Sequence, residues 1–355
     1  MSPIELSASE LFDTVSDPVL LLRDGLVCYC NPAALTRIPR LRLDAPLPEP
    51  LSTILPDVGQ RGVSFFQLDG APYRLRLSQT RQGLLLYLQH DVPEAPLRVD
   101  RLTLRIRQET TGLAAALQCL DPARQEAERA RQYLSVANQR LYRLLRLCDH
   151  LEFLERTDDE LFRPAPVDLA GLLGDLCAQV EDVCRLAGQR FQYEIEPPAL
   201  DTVADAALVR RLVLSLVSNA MKAAGEGGTV TLKLAKKRTR VVLTVSDTGP
   251  GMEGRDLGRL FGGESTAPPG RTPAEGLGLG LDAVRRIASL HGGMVMVESR
   301  PGDGLRAVVS LPIRPPEDGM GLRTPARDYT GGFSPLLVEL SDALPAHLFR
   351  PEDLE

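Results

Sequence analysis

The chain lacks most of what would tie it to a membrane, a metal or a nucleic acid. None of its apolar runs approaches the roughly 20 residues that span a bilayer. The opening MSPIELSASE has no basic stretch followed by an apolar core, so no signal peptide and a cytoplasmic location are expected. There is no basic excess: the formal net charge is −6, which gives no reason to expect a nucleic-acid partner. The six cysteines show no zinc spacing. Cys28 and Cys30 are the only close pair, with no histidine near them in sequence, and Cys177 and Cys184 read as helix core. This usage fits a reducing cytosol. Histidine is scarce. His90, His150, His291 and His347 are all there are, and none falls between Asp91 and Asp149.

What is present is ordinary for a globular protein, 43% hydrophobic and 25% charged, and 355 residues predict two or three domains. The informative stretch is 208–313. LVRRLVLSLVSNAMKAA has apolar residues at helical spacing, and Asn219 and Lys222, three apart, share a face. An amide oxygen is a hard ligand suited to Mg²⁺ that carries phosphate and water, and an ammonium sits well beside phosphate. RTRVVLTVSD reads as a buried strand running into Asp247, whose carboxylate accepts a hydrogen bond from an amino group such as that of adenine. Gly249 and Gly251 let backbone approach a flat base. Gly276, Gly278 and Gly280 precede a helix to about Leu290, and free N–H groups there suit phosphate oxygens. The spacing GxGxG, after a Pro/Gly-rich loop, is not the dinucleotide fingerprint.

These three motifs, in this order, resemble the ATP-binding domain of sensor histidine kinases, within the GHKL ATPase superfamily. Asn219 and Lys222 match the N box, Asp247 to Gly251 the first glycine box, and Gly276 to Leu281 the second. The resemblance implies a GHKL (Bergerat) α/β sandwich over 165–314. It implies ATP and Mg²⁺ as cofactors, with Asn219 on the metal. A lid over 252–275 would carry Phe261, Arg255, Arg259 and Arg271. HGGMVMVESRPGDGLRAVVSLPI is similar to the two closing strands, and His291 is then structural. The ATP-hydrolysing branch carries a Glu four residues before the N-box Asn. Here that residue is Ser215, so the site looks built to hold ATP without a base to hydrolyse it.

The rest of the chain fits an α+β, multidomain protein. Residues 7–92 predict a helix, two strands turning at Asp24-Gly25, a short helix from Asn31 and three strands with turns at Asp69-Gly70 and Gln82-Gly83. Residues 39–56 between them read as loop. Asp17-Pro18-Val19, Asp24-Gly25 and Tyr29-Cys30-Asn31-Pro32 resemble a small PAS-like sensor domain, which implies a small ligand or a dimer contact. It has no flavin-attachment motif, and His90 reads as a surface residue.

Residues 96–157 predict two helices. Leu102, Ile106, Leu113 and Leu117 line one side of the first, and a break falls at Asp121-Pro122. Leu134, Ala137, Leu141, Leu144, Cys148 and Leu151 form a seam on the second. Two such hairpins pair economically into a dimeric four-helix bundle. This resembles the HisKA-like dimerisation hairpin of histidine kinases, which implies a homodimer and a response-regulator receiver domain as partner. Matching the hairpins puts Arg107 in the phosphoacceptor His slot, Gln108 in the acidic slot and Thr111 in the Thr/Asn slot. His150, on the second helix, reads as a surface residue.

Three readings follow. One is a two-component sensor-kinase-like signalling protein that binds Mg-ATP with autophosphorylation lost or moved to His150. The second is a response-regulator phosphatase or sequestering pseudokinase, with Thr111 orienting water. The third is a Ser/Thr kinase of the anti-sigma-factor type. The C-terminal extension, 315–355, has no assigned role. Its Leu336, Leu337, Val338, Leu340 and Leu344 are too apolar for a solvated tail and predict docking on the ATP domain or a partner.

Overall fold

A computed structural model of the chain describes residues 12–49, 51–55, 63–68, 71–90, 99–119, 127–253, 257, 279–316 and 333–350. The N-terminal unit starts with β1 (Val19–Arg23) and β2 (Leu26–Cys30), which turn through Asp24 and Gly25, both at positive φ. Asn31 then caps α1 (Pro32–Arg37). Its Oδ1 accepts from the N–H groups of Ala34 and Val19, each at 3.0 Å, and its Nδ2 donates to the Asp17 carbonyl at 2.9 Å. One buried amide thus ties the helix start to the first strand. A short helix, α2 (Leu51–Ile54), stands where loop was expected, because Leu47 and Leu51 are drawn into the core. Strands β3 (Val63–Leu68), β4 (Ala71–Thr80) and β5 (Gly83–Gln89) complete the antiparallel order β2-β1-β5-β4-β3. The Asp69-Gly70 turn lies outside the described residues.

Next come two long helices, α3 (Val99–Gln118) and α4 (Ala127–Glu155), packed on each other, and a short α5 (Asp158–Leu161) held by a Thr157/Glu160 capping box. The break at Asp121-Pro122 lies outside the described residues. The remaining elements are β6 (Ala165–Asp168), α6 (Leu169–Leu186), β7 (Arg190–Glu196), β8 (Asp201–Ala204), α7 (Ala206–Ala224), β9 (Thr229–Lys237), β10 (Arg240–Asp247), α8 (Leu279–Leu290), β11 (Met294–Ser299), β12 (Leu305–Pro312) and α9 (Pro335–Leu340). Their main sheet runs β11-β12-β10-β9-β7, antiparallel except for β7 with β9. β6 and β8 form a separate ribbon.

The two sheets are one. β3 pairs antiparallel with β11, Phe66 opposite Met296 and Ser64 opposite Glu298, giving a ten-stranded sheet. The pairing satisfies the backbone edges of both units at once. Alternation along the strands explains why the strands of the C-terminal sheet read as unbroken apolar runs. Val241, Leu243 and Val245 of β10, with Val295, Val297 and Val309, join one core with α6, α7 and α8. Val242, Met294, Met296 and Val308 point the other way, into a second core with Leu41, Leu47 and Leu51. The N-terminal unit therefore covers one face of the β11-β12-β10-β9-β7 sheet, with α2 against β10 and β12.

The helical hairpin uses more than its expected seam. Ala137 is buried, but Leu134, Leu141, Leu144 and Leu151 are half-buried and Cys148 is exposed. The buried face of α4 instead carries Ser135, Gln139, Arg146 and His150, covered by the C-terminal segment 333–349. His150 corrects its expected surface position: it is 6% exposed. The reason is that the C-terminal segment supplies polar partners along a face that sequence periodicity marks as solvated.

Candidate nucleotide site

Helix α7 begins at Asp205, whose Oδ1 accepts from the Leu208 N–H at 3.0 Å and whose Oδ2 accepts from the Arg163 N–H at 2.8 Å. The Asp205 N–H in turn donates to His291 Nε2 at 3.0 Å, while His291 Nδ1 faces the Ile287 carbonyl at 2.8 Å. His291 is thus a buried strut between α7 and α8, as the family resemblance implied, and burial lowers its pKa. From Leu212 to Met221 the helix is buried at every position but one, Asn219. An exposed amide on such a helix is placed for something other than packing. A Cβ at Gly280 would lie 3.7 Å from Asn219 Nδ2, so the amide sits beside the first turn of α8.

Asp247 ends β10, 4% exposed. Its Oδ1 accepts from the Gly249 N–H at 2.8 Å and from the Leu305 N–H at 3.3 Å. The loop after it is stitched to the turn between β11 and β12. The Gly302 N–H donates to the Pro250 carbonyl at 2.7 Å, and the Met252 N–H donates to Ser299 Oγ at 2.9 Å. Glycine is required here. A Cβ at Gly249 would lie 2.3 Å from the Ala223 carbonyl oxygen. Gly251 has φ +67°, and a Cβ there would lie 2.0 Å from the Arg300 carbonyl oxygen. Asp247 and Gly249 are thereby drawn against the end of α7, the helix that carries Asn219. Gly276, Gly278, Phe261, Arg255, Arg259, Arg271 and most of the expected lid lie outside the described residues.

Lys222, one turn beyond Asn219, has a partner the sequence did not name. Its Nζ lies 3.2 Å from Asp342 Oδ2, and burial brings its pKa down to about 8 against the opposing pull of Asp342. The same carboxylate meets Arg146 at 2.8 Å, Arg105 at 2.7 Å and Arg143 at 3.5 Å. Glu339, one turn earlier, meets Arg146 at 3.3 Å, His150 Nε2 at 3.4 Å and Arg211 at 3.6 Å. Burial works to raise Glu339, but His150 and the two guanidiniums overcome it and hold the carboxyl at about 2. Burial lowers the pKa of His150, with Glu339 opposing and Arg146 and Arg211 assisting. The only advance sign of this cluster was two acids spaced three apart within an apolar tail.

The remaining candidates stand apart. Arg107 and Thr111 lie on an exposed face of α3. Ser215 is fully buried, and its Oγ makes no hydrogen bond among the described residues. It offers no base to activate water.

Residues 204–315 match the family described as histidine kinase-, DNA gyrase B-, and HSP90-like ATPase. The chain is 28% identical over 251 residues to the adaptive-response sensory kinase SasA of Parasynechococcus marenigrum (strain WH8102), covering 70% of this chain and 66% of that protein. It is 39% identical over 127 residues to the histidine protein kinase DivJ of Caulobacter vibrioides, covering 36% of this chain and 21% of that protein. The chain thus spans about two thirds or less of the length of these relatives. Among solved structures, histidine kinase ThkA in complex with response regulator protein TrrA is 20% identical, with TM-score 0.49 over 87% of this chain and 99% of that one. ShkA full-length in complex with AMPPNP is 26% identical, with TM-score 0.45 over 63% of this chain and 47% of that one. The 204–315 stretch is a GHKL-type ATPase domain, and the relatives it brings with it are named sensory histidine kinases. No helix among the described residues is long and apolar enough to cross a membrane.

Proposed function

We propose that the protein is a sensor-kinase-like signalling protein that binds Mg-ATP and does not phosphorylate itself. One arrangement carries the reading: the exposed Asn219 amide beside the start of α8, with the glycine-braced Asp247 loop drawn against the end of the same helix. These groups fit a nucleotide. Asp247 would hold the adenine amino group, with Gly249 and Gly251 bringing backbone to the base. Lys222, Gly276, Gly278 and Gly280 would receive the phosphates, and Asn219 the Mg²⁺ that bridges them. The metal supplies charge neutralisation at the phosphates. The chain contributes orientation only, since Ser215 is no base and Arg107 occupies the acceptor slot. His150 is a poor candidate for a displaced acceptor in the nucleotide-free arrangement, where it is buried beside Glu339.

In this reading residues 7–92 are the PAS-like input unit, which would take a small ligand. Residues 96–157 dimerise through Leu134, Leu141, Leu144 and Leu151, which one chain leaves half-open. A response-regulator receiver domain is the partner. Exposure of Thr111 and Arg107 on α3 favours a second reading, in which the hairpin sequesters or dephosphorylates that regulator.

The test uses purified protein with Mg²⁺ and γ-labelled ATP. Binding without label is expected, with Asn219→Ala and Asp247→Ala abolishing it. Acid-labile, alkali-stable label that vanishes in His150→Ala overturns the reading.

A further inference from the structure

The segment 333–349 reaches from the helical hairpin to the nucleotide site, and its charges meet there. Ser334 caps α9, and Val338, Leu340, Leu344 and Phe349 are buried against α4 and α7. Side chains of α4 hold its backbone. Gln139 Nε2 donates to the Leu344 carbonyl at 2.6 Å and Asn138 Nδ2 to the Phe349 carbonyl at 3.1 Å. Tyr142 stacks edge-on between Phe333 and Phe349. On this apolar base stands Asp342. Its two oxygens gather Arg105 of α3, Arg143 and Arg146 of α4, and Lys222 of α7.

Four cations from three helices on one carboxylate is an oxyanion site. Guanidinium and ammonium groups recognise carboxylate and phosphate by the same charge-assisted hydrogen bonds. Lys222 is also the residue that the proposed ATP site offers to phosphate. We propose that the segment 333–349 is an internal competitor of nucleotide phosphate. The Asp342 carboxylate holds the cations while the site is empty of nucleotide, and phosphate bound at Lys222 expels it. This inference rests on the nucleotide-site reading and adds its regulation.

The physical reason is charge. A phosphate beside Lys222 brings further negative charge close to Asp342, and like charges at such range repel. Each ligand of Lys222 therefore weakens the other, and the coupling is reciprocal. Asp342 also joins α3 to α7, so its departure loosens the hairpin from the nucleotide domain and bares Arg105, Arg143 and Arg146.

The experiment compares the full-length chain with Asp342→Asn, using Mg-ATP and adenosine as probes. Adenosine reaches the base pocket but has nothing for Lys222. The variant is expected to bind Mg-ATP more tightly, on the order of tenfold, with adenosine affinity unchanged. In the unaltered chain, Mg-ATP is expected to speed amide hydrogen exchange over 333–349, and adenosine is not. This second measurement needs no variant and stands even where Asp342→Asn fails to fold. Binding of both probes with no response of the segment and no gain in the variant overturns the competition alone. Binding of neither probe by either protein overturns the nucleotide-site reading and the competition with it.

Discussion

His150 Nε2 lies 3.4 Å from Glu339 Oε2, beneath a segment that sequence periodicity would not have placed there. Burial lowers the pKa of the imidazole, and Arg146 and Arg211 add to that against the pull of Glu339. A histidine with a lowered folded-state pKa leaves the unfolded chain binding more protons, so stability rises with pH through its range. Its contribution is complete above the ordinary value of 6.5 and is lost as pH falls below it. Glu339 acts further down. Its contribution is present above 4.5 and is lost as pH falls towards about 2. The melting temperature is therefore expected to fall as pH drops from about 7.5 to 5. His150→Gln should flatten part of that fall, leaving the part due to His291, whose shift has the same sign. Calorimetry across this range decides it, and an unchanged slope in His150→Gln counts against the buried neutral imidazole.

Gly251 and Gly280 make a contrasting pair. Gly251→Ala forces a side chain at φ +67° into the Arg300 carbonyl, so a loss on the order of 2–4 kcal/mol is expected in urea unfolding. Gly280→Ala meets only ordinary contact with Asn219, and helix propensity favours alanine by up to about 1 kcal/mol. Its stability should hold or rise while Mg-ATP affinity drops, because the methyl takes up space beside Asn219 that the proposed site gives to phosphate and Mg²⁺. Equal loss of stability in both variants would refute the distinction.

Ser215 buries a hydroxyl with no hydrogen bond among the described residues. Removing such a group costs little, so Ser215→Ala is expected within about 0.5 kcal/mol of the parent, or slightly more stable. Nucleotide affinity should not change. A marked loss of affinity, read by titration, would give this hydroxyl a role in the site.

Phe65 lies on β3 of the N-terminal unit, yet it is buried in the core of the nucleotide domain, with Arg74 5.6 Å above its ring. Phe65→Ala is therefore expected to cost about 3–5 kcal/mol, as other buried phenylalanines do. Because β3 and β11 share one sheet, the parent chain should melt these two units in a single calorimetric transition. Two well-separated transitions would mean that the β3–β11 pairing is not cooperative.

The nucleotide motifs were legible because their chemistry is local. Asn219 and Lys222 fall on one helix face by spacing alone, and Gly249 and Gly251 mark backbone that a side chain would block. Strands such as β10 and β11 were equally plain as apolar runs, although a run does not say what covers each side. The loop expected over 39–56 contains α2 because its leucines find a core supplied by β10 and β12. The heptad-like seam of the hairpin is a pattern in the sequence that one chain leaves mostly half-buried, and the buried polar face of α4 was not legible at all. Arg146, Gln139 and His150 look solvated until a distant segment brings carboxylates and carbonyls to them.

The sequence by itself determined the GHKL-type ATPase signature, the missing histidine in the first hairpin helix and the missing base at Ser215, since each is a matter of residue identity at fixed local spacing. Only the tertiary structure decided that β3 extends the sheet through β11, that His150 is sealed, and that Asp342 sits on Lys222. Those outcomes depend on which far-separated surfaces bury the most apolar area and neutralise the most charge together, and short-range periodicity carries no record of that choice.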